Sequence, residues 1–508
     1  MSNYNRGIIK QIEELTLENE SLKKENVGLR RENAEIKREN RELRQRFVAL
    51  ENSIKDIVSR AVEKATEPLL TKIEEQQKEI LRLKSQINKD SSNSSKPPSS
   101  NGYKKPPNNR EKSKKKQGGQ KGHKGNRLNI PENLDELKAA GKIEYRVIYD
   151  GIAEGDAYTS DFEVNLKIIP VYIETRRAVG KPPQISYGDN FKVLAVYLSV
   201  IGLIAVKRLC DFFREITYGM AAISKATIQR FVGDAAGKVD LRPLIQDLLN
   251  GEVLHVDETP IKTTERPNDE GELETAQHTT FNAYIRTYSN AKTTVLTANS
   301  RKTEESVRTD NILTQFHGTI SQDHEAKFYN FGNNHATCGG HLSRELRGMA
   351  ELNLLEWAAE FRSFYVGMNT HKNKDLAGDI NCCNPDLLSQ FEQQYDNLIE
   401  KGVALLAGMK PKSFGYDELR RMTNRLQNFK DSYMLFIRDY TAPFTNNQAE
   451  RDLRHCKTKQ KISGCFRSWQ GVLDYCKLRS FLDTAKKRGQ NLLDSLKLLS
   501  VPICPAGQ

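Results

Sequence analysis

Hydrophobic residues recur every seven positions along the first fifty residues of the chain. Leucine or isoleucine holds one position of this repeat from Ile8 to Leu50, and the position three residues earlier is asparagine in four successive repeats, at Asn19, Asn26, Asn33 and Asn40. Asparagines at this position favour a parallel two-stranded coiled coil, because their amides pair across the seam. The pattern predicts a parallel coiled coil over residues 1–60, which Pro68 separates from a second short coiled coil within 61–88.

From Gly251 the apolar spacing changes to the alternation typical of β-strands. The segments EVLHVDETPIKTT, FNAYIRTY and TTVLTAN predict three antiparallel strands, TEESVRTDNILTQF a helix, and GTISQDHEAKFYNF a fourth strand. A fourth strand beside the first, after such a helix, is the order of a ribonuclease-H-like core. We therefore expect this core in residues 250–348 and 441–485, interrupted by a helical insertion at 349–440.

Residues between the coiled coil and this core predict two smaller modules. KIEYRVIYD and FEVNLKIIPVYIETRRAV indicate a small β-rich module within 130–189. Residues 190–240 indicate a helical block, with a turn at Gly219 and a helix capped by Ser224, as in a helix-turn-helix. Plain packing helices are the commoner explanation of such a pattern. In a helix-turn-helix, three side chains would face DNA: Lys225, Gln229 and Arg230. With a C-terminal tail at 486–508, the predicted fold class is multidomain α+β.

Charge is concentrated in one segment of the 508-residue chain. The chain has a net charge of +12, and residues 89–129 hold 12 lysines and arginines against two acids. The segment is rich in Ser, Asn, Pro and Gly and nearly without apolar residues, so it predicts a disordered arm. Such an arm binds nucleic acid or is a solvated charge run without a partner. The candidate DNA-binding lysines are Lys114, Lys115, Lys116 and Lys121.

Apolar runs and cysteines exclude several classes of protein. The longest apolar run, Val193–Val206, is too short for the roughly 20 residues of a membrane span. The N-terminus has no apolar signal region, which predicts a cytoplasmic protein. The eight cysteines form no C-x-x-C pairs, which predicts reduced thiols and argues against a structural zinc site.

Three acidic residues stand where a metal-dependent site would need them. Asp257 falls in the middle of the first predicted strand, Asp323 at the end of the fourth, and Glu450 in the first turn of a later helix. Two Mg²⁺ ions roughly 4 Å apart, held by carboxylates from separate elements, catalyse phosphodiester chemistry. The alternatives are local: a strand-end or turn aspartate, and a capping box in which Asn447 is the N-cap of the helix and Glu450 its third residue.

The helix of Glu450 continues with cations on the same stripe. Arg454, Lys457 and Lys461 follow the glutamate at helical spacings, so the stripe predicts a surface for a polyanion.

Four motifs, HVDETP, ISQDHEAKFYNFG, TCGGHLSREL and NNQAERDLR, resemble the insertion-sequence 66 (IS66) family of bacterial transposases. SSNSSKPPSSNGYKK and GGQKGHKG in the arm are similar to that family's low-complexity segment. The resemblance implies that Asp257, Asp323 and Glu450 form a DDE triad that binds two Mg²⁺, for which Mn²⁺ can substitute. It implies that the protein cleaves and transfers strands of double-stranded DNA, acting on both the terminal inverted repeats and the target. The active form would be a dimer or higher assembly that works with accessory proteins. Its location would be the bacterial cytoplasm, at the nucleoid.

The resemblance also assigns neighbouring residues and shows one departure. Arg451, Arg454, Lys457 and Lys461 would hold DNA phosphates, and a set of residues would lie near the site: Cys338, His341, Arg344, Asn446 and Asn447. The family's four-cysteine zinc module is missing, because residues 131–190 contain no cysteine. Cys338 and His341 form a Cys-x-x-His pair, but without a second pair zinc is disfavoured.

Two other functions remain open from the sequence. A nuclease of the same fold would use the same carboxylates, and a non-catalytic coiled-coil DNA-binding protein or decayed transposase would need none of them.

Overall fold

A computed structural model describes residues 3–94, 130–160, 162–176, 186–352 and 355–500. The chain divides into two units, Met1–Asn88 and Lys89–Gln508. Among the described residues, none of the helices combines the length and apolar character that a membrane span requires.

The first unit is one helix, α1 (Asn3–Asn88), and it runs through Pro68 without a break. A continuous helix can carry two seams in different register, so the division at Pro68 into two coiled coils stays a prediction. Proline removes one backbone hydrogen bond and costs about 3 kcal/mol, which a helix of many turns can absorb. The apolar heptad positions of α1 are exposed, Leu22 at 53% and Leu29 at 51%. The seam of α1 is therefore exposed, and the coiled coil stays a prediction.

The start of the predicted disordered arm is ordered. Ser91–Ser94 are buried, and Asp90 organises them, since its carboxylate accepts hydrogen bonds from the Ser92 amide and hydroxyl. The Asn93 carbonyl lies where a side chain on Gly348 would stand, so the glycine permits this contact. The prediction of disorder is wrong for residues 89–94, and residues 95–129 lie outside the described part.

The predicted strands of the β-rich module are not formed in residues 130–160 and 162–176, where the described structure has only the short helix α2 (Leu134–Ala139). Its apolar residues are exposed, with Leu166 at 84% and Val171 at 81%. Alternating residues form a strand only when a neighbouring strand and a core face are available, and neither is present here.

A five-stranded mixed sheet forms the centre of the second unit. Its strands are β1 (Val253–Thr263), β4 (Phe281–Ser289), β5 (Thr294–Asn299), β6 (Thr319–Gln322) and β7 (Asn334–Thr337), and a separate hairpin contains β2 (Glu265–Pro267) and β3 (Leu273–Thr275). The order across the sheet is β5-β4-β1-β6-β7. β1, β4 and β5 pair antiparallel, whereas β1, β6 and β7 pair parallel. The predicted three antiparallel strands, with a fourth beside the first, are confirmed.

Some of the helices pack on the two faces of this sheet, and others form a separate cluster. They are α3 (Asp189–Val200), α4 (Val206–Ile216), α5 (Lys225–Gly237), α6 (Arg242–Leu249), α7 (Glu304–Asp310), α8 (Gly339–Leu352), α9 (Glu356–Ala377), α10 (Pro385–Gly408), α11 (Tyr416–Asn428), α12 (Lys430–Arg438), α13 (Asn447–Ser463), α14 (Trp469–Lys487) and α15 (Leu492–Ser500). One sheet face shares a core with α3, α4, α5, α13 and α14, and the other with α6 and α7. Helices α8 to α12 have their own core, so α8, most of which the sequence assigned to the catalytic core, packs with the helical insertion instead.

Two details of the helical parts bear on the sequence predictions. The turn between α4 and α5 contains Gly219 at φ +84°, and Ser224 caps α5 by accepting a hydrogen bond from the Thr227 amide, as predicted. Residues 486–500 are not a tail, because α15 buries Leu496 in the core beside α3.

Candidate active site

The alternation of strand side chains places Asp257 and Asp323 on the same face of the sheet. In β1, Leu254 and Val256 enter the core beside α6 and α7, whereas Ile261 enters the core on the α13 side. Asp257 lies four residues before Ile261, and because strand side chains alternate between faces, it faces α13 as well. β6 lies parallel to β1, with His255 opposite Ser321. Asp257 and Asp323 each come two residues after this pair, so their side chains lie on the same face. The two aspartates therefore meet at the edge where β6 ends, beside the middle of β1.

Glu450 reaches this edge on α13, whose start is anchored by Asn446. The Asn446 side-chain amide donates to the Val256 carbonyl at 2.8 Å, and its Oδ1 lies 3.0 Å from His255 Nδ1. Asn446 is fully buried. These bonds fix the first turn of α13 against the middle of β1, next to Asp257.

The capping interpretation of Glu450 is wrong. Helix α13 begins at Asn447, so the N-cap residue is Asn446 and Glu450 is the fourth helical residue. No side-chain bond caps the helix, because the Asn446 side chain is used on β1 instead. A capping box requires a glutamate at the third position, and Glu450 is one residue too far along.

His341 and Arg344, both on α8, connect the acidic residues. His341 Nδ1 lies 3.2 Å from Asp323 Oδ1 and 3.9 Å from Glu450 Oε1, and Arg344 Nη2 lies 3.7 Å from Glu450 Oε1. The sulfur of Cys338, which is buried directly after β7, accepts a hydrogen bond from the backbone N–H of Asn446 at 3.3 Å. All the near-site residues of the sequence prediction thus lie around the three acids, except Asn447, which is exposed at the start of α13.

The electrostatics of the site reflect excess negative charge. Burial raises the pKa of Asp257, and the charges of Asp323 and Glu450 raise it further, to about 8. Burial alone would lower the pKa of His341, but the neighbouring Asp323 and Cys338 raise it to about 10. Asp323 Oδ1 is buried and has no well-aligned hydrogen bond. A bound cation would satisfy this oxygen and relieve the repulsion among the three carboxylates, so Asp257, Asp323 and Glu450 fit a hard divalent metal.

A second charged cluster lies on the opposite face of the same strands and was missed by sequence reasoning. Arg286 of β4 is fully buried and donates to Glu258 at 2.8 Å and to Asp310. Lys327 also donates to Glu258, at 2.9 Å, and Tyr288 donates to Asp310 at 2.7 Å. The signal in the sequence was a charged residue in each of two apolar strands, Glu258 and Arg286, which pair directly in register.

Other acids near the site are already paired with cations. Glu325 lies 2.5 Å from Lys302, and Glu345 pairs with Arg425. Although burial lowers the pKa of Lys302, Glu325 and the nearby Glu258 and Asp257 raise it above its usual range. No sequence motif pointed to Lys302, which a loop between β5 and α7 brings to the site.

The predicted DNA-contacting residues fall into three groups. Arg451, Arg454 and Lys461 are exposed on α13, but Lys457 donates to the Pro260 carbonyl at 2.8 Å. Lys225, Gln229 and Arg230 are exposed on α5. The arm residues Lys114, Lys115, Lys116 and Lys121 lie outside the described residues. The seven cysteines of the described residues carry free thiols.

Comparison with known families identifies the larger part of this chain. Residues 185–473, more than half of the sequence, match the model of the IS66 transposase family. The matched segment contains the mixed sheet, the helical insertion and all three acidic residues. The chain belongs to the IS66 family of transposases, as the sequence motifs predicted.

Residues 9–129 match a second family, which is one of unknown function (DUF6444). This match covers most of α1 and the basic arm. No curated protein and no solved structure matches the chain.

Proposed function

We propose that this transposase is a DDE polynucleotidyl transferase that cleaves and joins DNA strands at the terminal repeats of its own insertion sequence. The observation that carries the proposal is the convergence of Asp257, Asp323 and Glu450 from β1, β6 and α13 onto one edge of the sheet. The strand order β5-β4-β1-β6-β7 supports a ribonuclease-H-like core. That the nearby Glu325 and Glu345 are paired elsewhere supports Glu450 as the third acid.

Within this proposal the three carboxylates hold two Mg²⁺ ions, for which Mn²⁺ can substitute. When bound, the metals supply Lewis-acid activation of the attacking oxygen and stabilise the leaving oxygen of the phosphodiester. Asn446 keeps Glu450 against β1 through the Val256 carbonyl. His341 and Arg344 lie within 4 Å of Glu450, so they orient its carboxylate toward the aspartates.

The proposed activity is tested with the purified full-length chain and labelled duplex DNA that carries one end of the element. In Mg²⁺ we expect a nick that leaves a 3′-hydroxyl at the element boundary, followed by joined products with target DNA. Cleavage without joining would identify a nuclease and contradict strand transfer. Binding without cleavage would identify a non-catalytic DNA-binding protein.

We also propose that the chain works as a dimer through α1. Its leucine seam is exposed over many turns, although an apolar stripe of this length is stable in water only when another helix covers it. With Leu22, Leu29 and Ile36 each replaced by Glu, we expect sedimentation velocity to show a monomer where the unchanged chain is a dimer. Leu17 is 68% exposed but lies off the seam, so Leu17→Glu is the matched control. A monomeric unchanged chain would contradict the proposal.

The basic arm is proposed to add affinity for DNA without sequence choice, because each phosphate contact releases counterions. Replacing Lys114, Lys115 and Lys116 with Gln should weaken binding to all duplexes equally. The slope of log affinity against log salt should fall by up to about 3. Lys72, Lys78 and Lys84 of α1 are the control for lost net charge. Equal flattening by the control, or loss of terminal-repeat binding alone, would argue against this role.

We propose that α4 and α5 form a helix-turn-helix with Lys225, Gln229 and Arg230 toward the DNA, since all three are exposed. Replacing Gln229 with Ala should reduce the preference for terminal-repeat over random DNA in gel-shift competition. An unchanged preference would leave α5 a packing helix.

A further inference from the structure

A thiol, an imidazole and a carboxylate meet at the carboxyl ends of β6 and β7. The parallel register pairs Gln322 with Thr337, so the residues that follow, Asp323 and Cys338, are neighbours. The Cys338 amide donates to the Gln322 carbonyl at 2.8 Å. His341 stands in the first turn of α8, directly after Cys338. One ligand atom from each of Asp323, Cys338 and His341 lies within 4.8 Å of the other two.

Two of the three ligand atoms of this cluster have no well-aligned hydrogen bond. Asp323 Oδ1 and His341 Nδ1 are both buried, and although they lie 3.2 Å apart, neither has a well-aligned hydrogen bond. Buried polar atoms are rarely left in this state in folded proteins. Cys338 is 2% exposed, and its sulfur points toward the same place. Three ligand atoms of different chemistry therefore lie within 4.8 Å of one another.

We propose that Cys338, His341 and Asp323 form a binding site for a thiophilic divalent cation, with Zn²⁺ as the best fit. Zinc takes one sulfur, one nitrogen and one oxygen at about 2.0–2.3 Å, and sites with three protein ligands keep a fourth position open. Ligand atoms around such an ion lie roughly 3.5 Å apart, so small side-chain rotations close the 4.8 Å cluster. As the metal binds, the Cys338 thiol and the His341 imidazolium each lose one proton to solvent, because the ligand atoms are a thiolate sulfur and a neutral imidazole nitrogen.

The donor set separates this cation from the one proposed for the three carboxylates. Mg²⁺ prefers oxygen ligands only, whereas thiolate and imidazole select zinc and similar metals. The absence of a second Cys-x-x-His pair disfavoured zinc in the sequence, but the third ligand comes from the neighbouring strand.

This site shares Asp323 with the proposed catalytic triad. A thiophilic cation bound to Asp323 would draw that carboxylate away from Mg²⁺. Zn²⁺ should therefore inhibit strand cleavage in competition with Mg²⁺, a consequence that rests on the proposed function.

Binding is tested directly by titrating Co²⁺ into the metal-free full-length chain. We expect a thiolate-to-cobalt charge-transfer band in the unchanged protein. The band should disappear in Cys338→Ser, and Co²⁺ affinity should fall at least about tenfold in His341→Gln and in Asp323→Asn. Cys382→Ser, which removes an exposed thiol before α10, is the matched control and should keep the band. Circular dichroism confirms that each variant is folded.

The outcomes separate this inference from the proposed activity. No band in the unchanged chain, a band that persists in Cys338→Ser, or one lost in Cys382→Ser would overturn the site. If Co²⁺ binds through Cys338 and the chain cuts no DNA, the proposed function fails while the site stands. If both hold, Zn²⁺ added to Mg²⁺ should slow cleavage in the unchanged chain, and the ratio of rates with and without Zn²⁺ should approach one in Cys338→Ser.

Discussion

Replacing Glu450 with Gln is expected to lower strand cleavage by at least about a thousandfold, because the positioning of metal ions carries most of the catalysis in phosphoryl transfer. The same loss is expected for Asp257→Asn and Asp323→Asn. Since Glu450 does not cap α13, Glu450→Gln should leave the folded structure and DNA binding unchanged. Cleavage is measured on labelled element-end DNA in Mg²⁺, and binding by gel shift with the same DNA.

The matched controls are the two other glutamates near the site. Glu325→Gln and Glu345→Gln each remove one carboxylate from an ion pair, with Lys302 and Arg425 respectively. Both should keep cleavage within about tenfold of the unchanged chain, because neither carboxylate is needed for metal. If Glu450→Gln keeps activity in that range while one control loses it, the third acid is assigned to the wrong residue.

Replacing Arg286 with Met should lower the free energy of unfolding by about 3–5 kcal/mol, because breaking a buried ion pair leaves charges without compensation. Glu258 and Asp310, which Arg286 contacts, have side chains only 2% and 6% exposed. Although burial opposes the charge, Tyr288, Asp310 and Glu258 raise the pKa of Arg286. It is therefore charged throughout the physiological range, and the methionine removes a cation that is always present.

The loss is measured by urea unfolding of the full-length chain. Arg301→Met is the control, since Arg301 and Asp269 form an ion pair whose side chains are 58% and 60% exposed. Exposed pairs contribute about 0–1 kcal/mol, so this variant should unfold close to the unchanged chain. Similar small losses from both substitutions would mean that the buried cluster contributes no more than a surface pair.

The two predictions address the two faces of the same strands. Asp257 and Glu258 are adjacent in the chain, yet their side chains leave β1 on opposite faces. Asp257 joins the candidate active site beside α13, and Glu258 joins the buried cluster with Arg286 and Lys327. Because the cluster holds β1, β4 and α7 together, it stabilises the sheet edge on which Asp257 stands.

Local patterns were sufficient for most of the helices and strands. The period of seven in α1, the alternation in β1, β4 and β5, and the turn before α5 depend on neighbouring residues, which the sequence displays. The predicted start of α13 was wrong, because Asn446 bonded to β1 rather than capping its own helix. Pro68 does not end α1, since a proline is tolerated inside a long helix.

The alternating segments of residues 142–176 show the limit of such patterns. Alternation makes a strand possible, but a strand forms only where another strand supplies hydrogen bonds and a core covers one face. The described residues of this segment have neither, so their apolar side chains are exposed.

By itself the sequence determined which residues are candidates: the family motifs, and through them Asp257, Asp323 and Glu450. Only the tertiary structure decided how they meet, because β1 must pair with β6 and α13 must return across the sheet after the helical insertion. It likewise brought Arg286 to Glu258 and Asp323 to Cys338. Side-chain periodicity is encoded between neighbours, whereas the pairing of distant elements depends on how much apolar surface each arrangement of the whole chain buries.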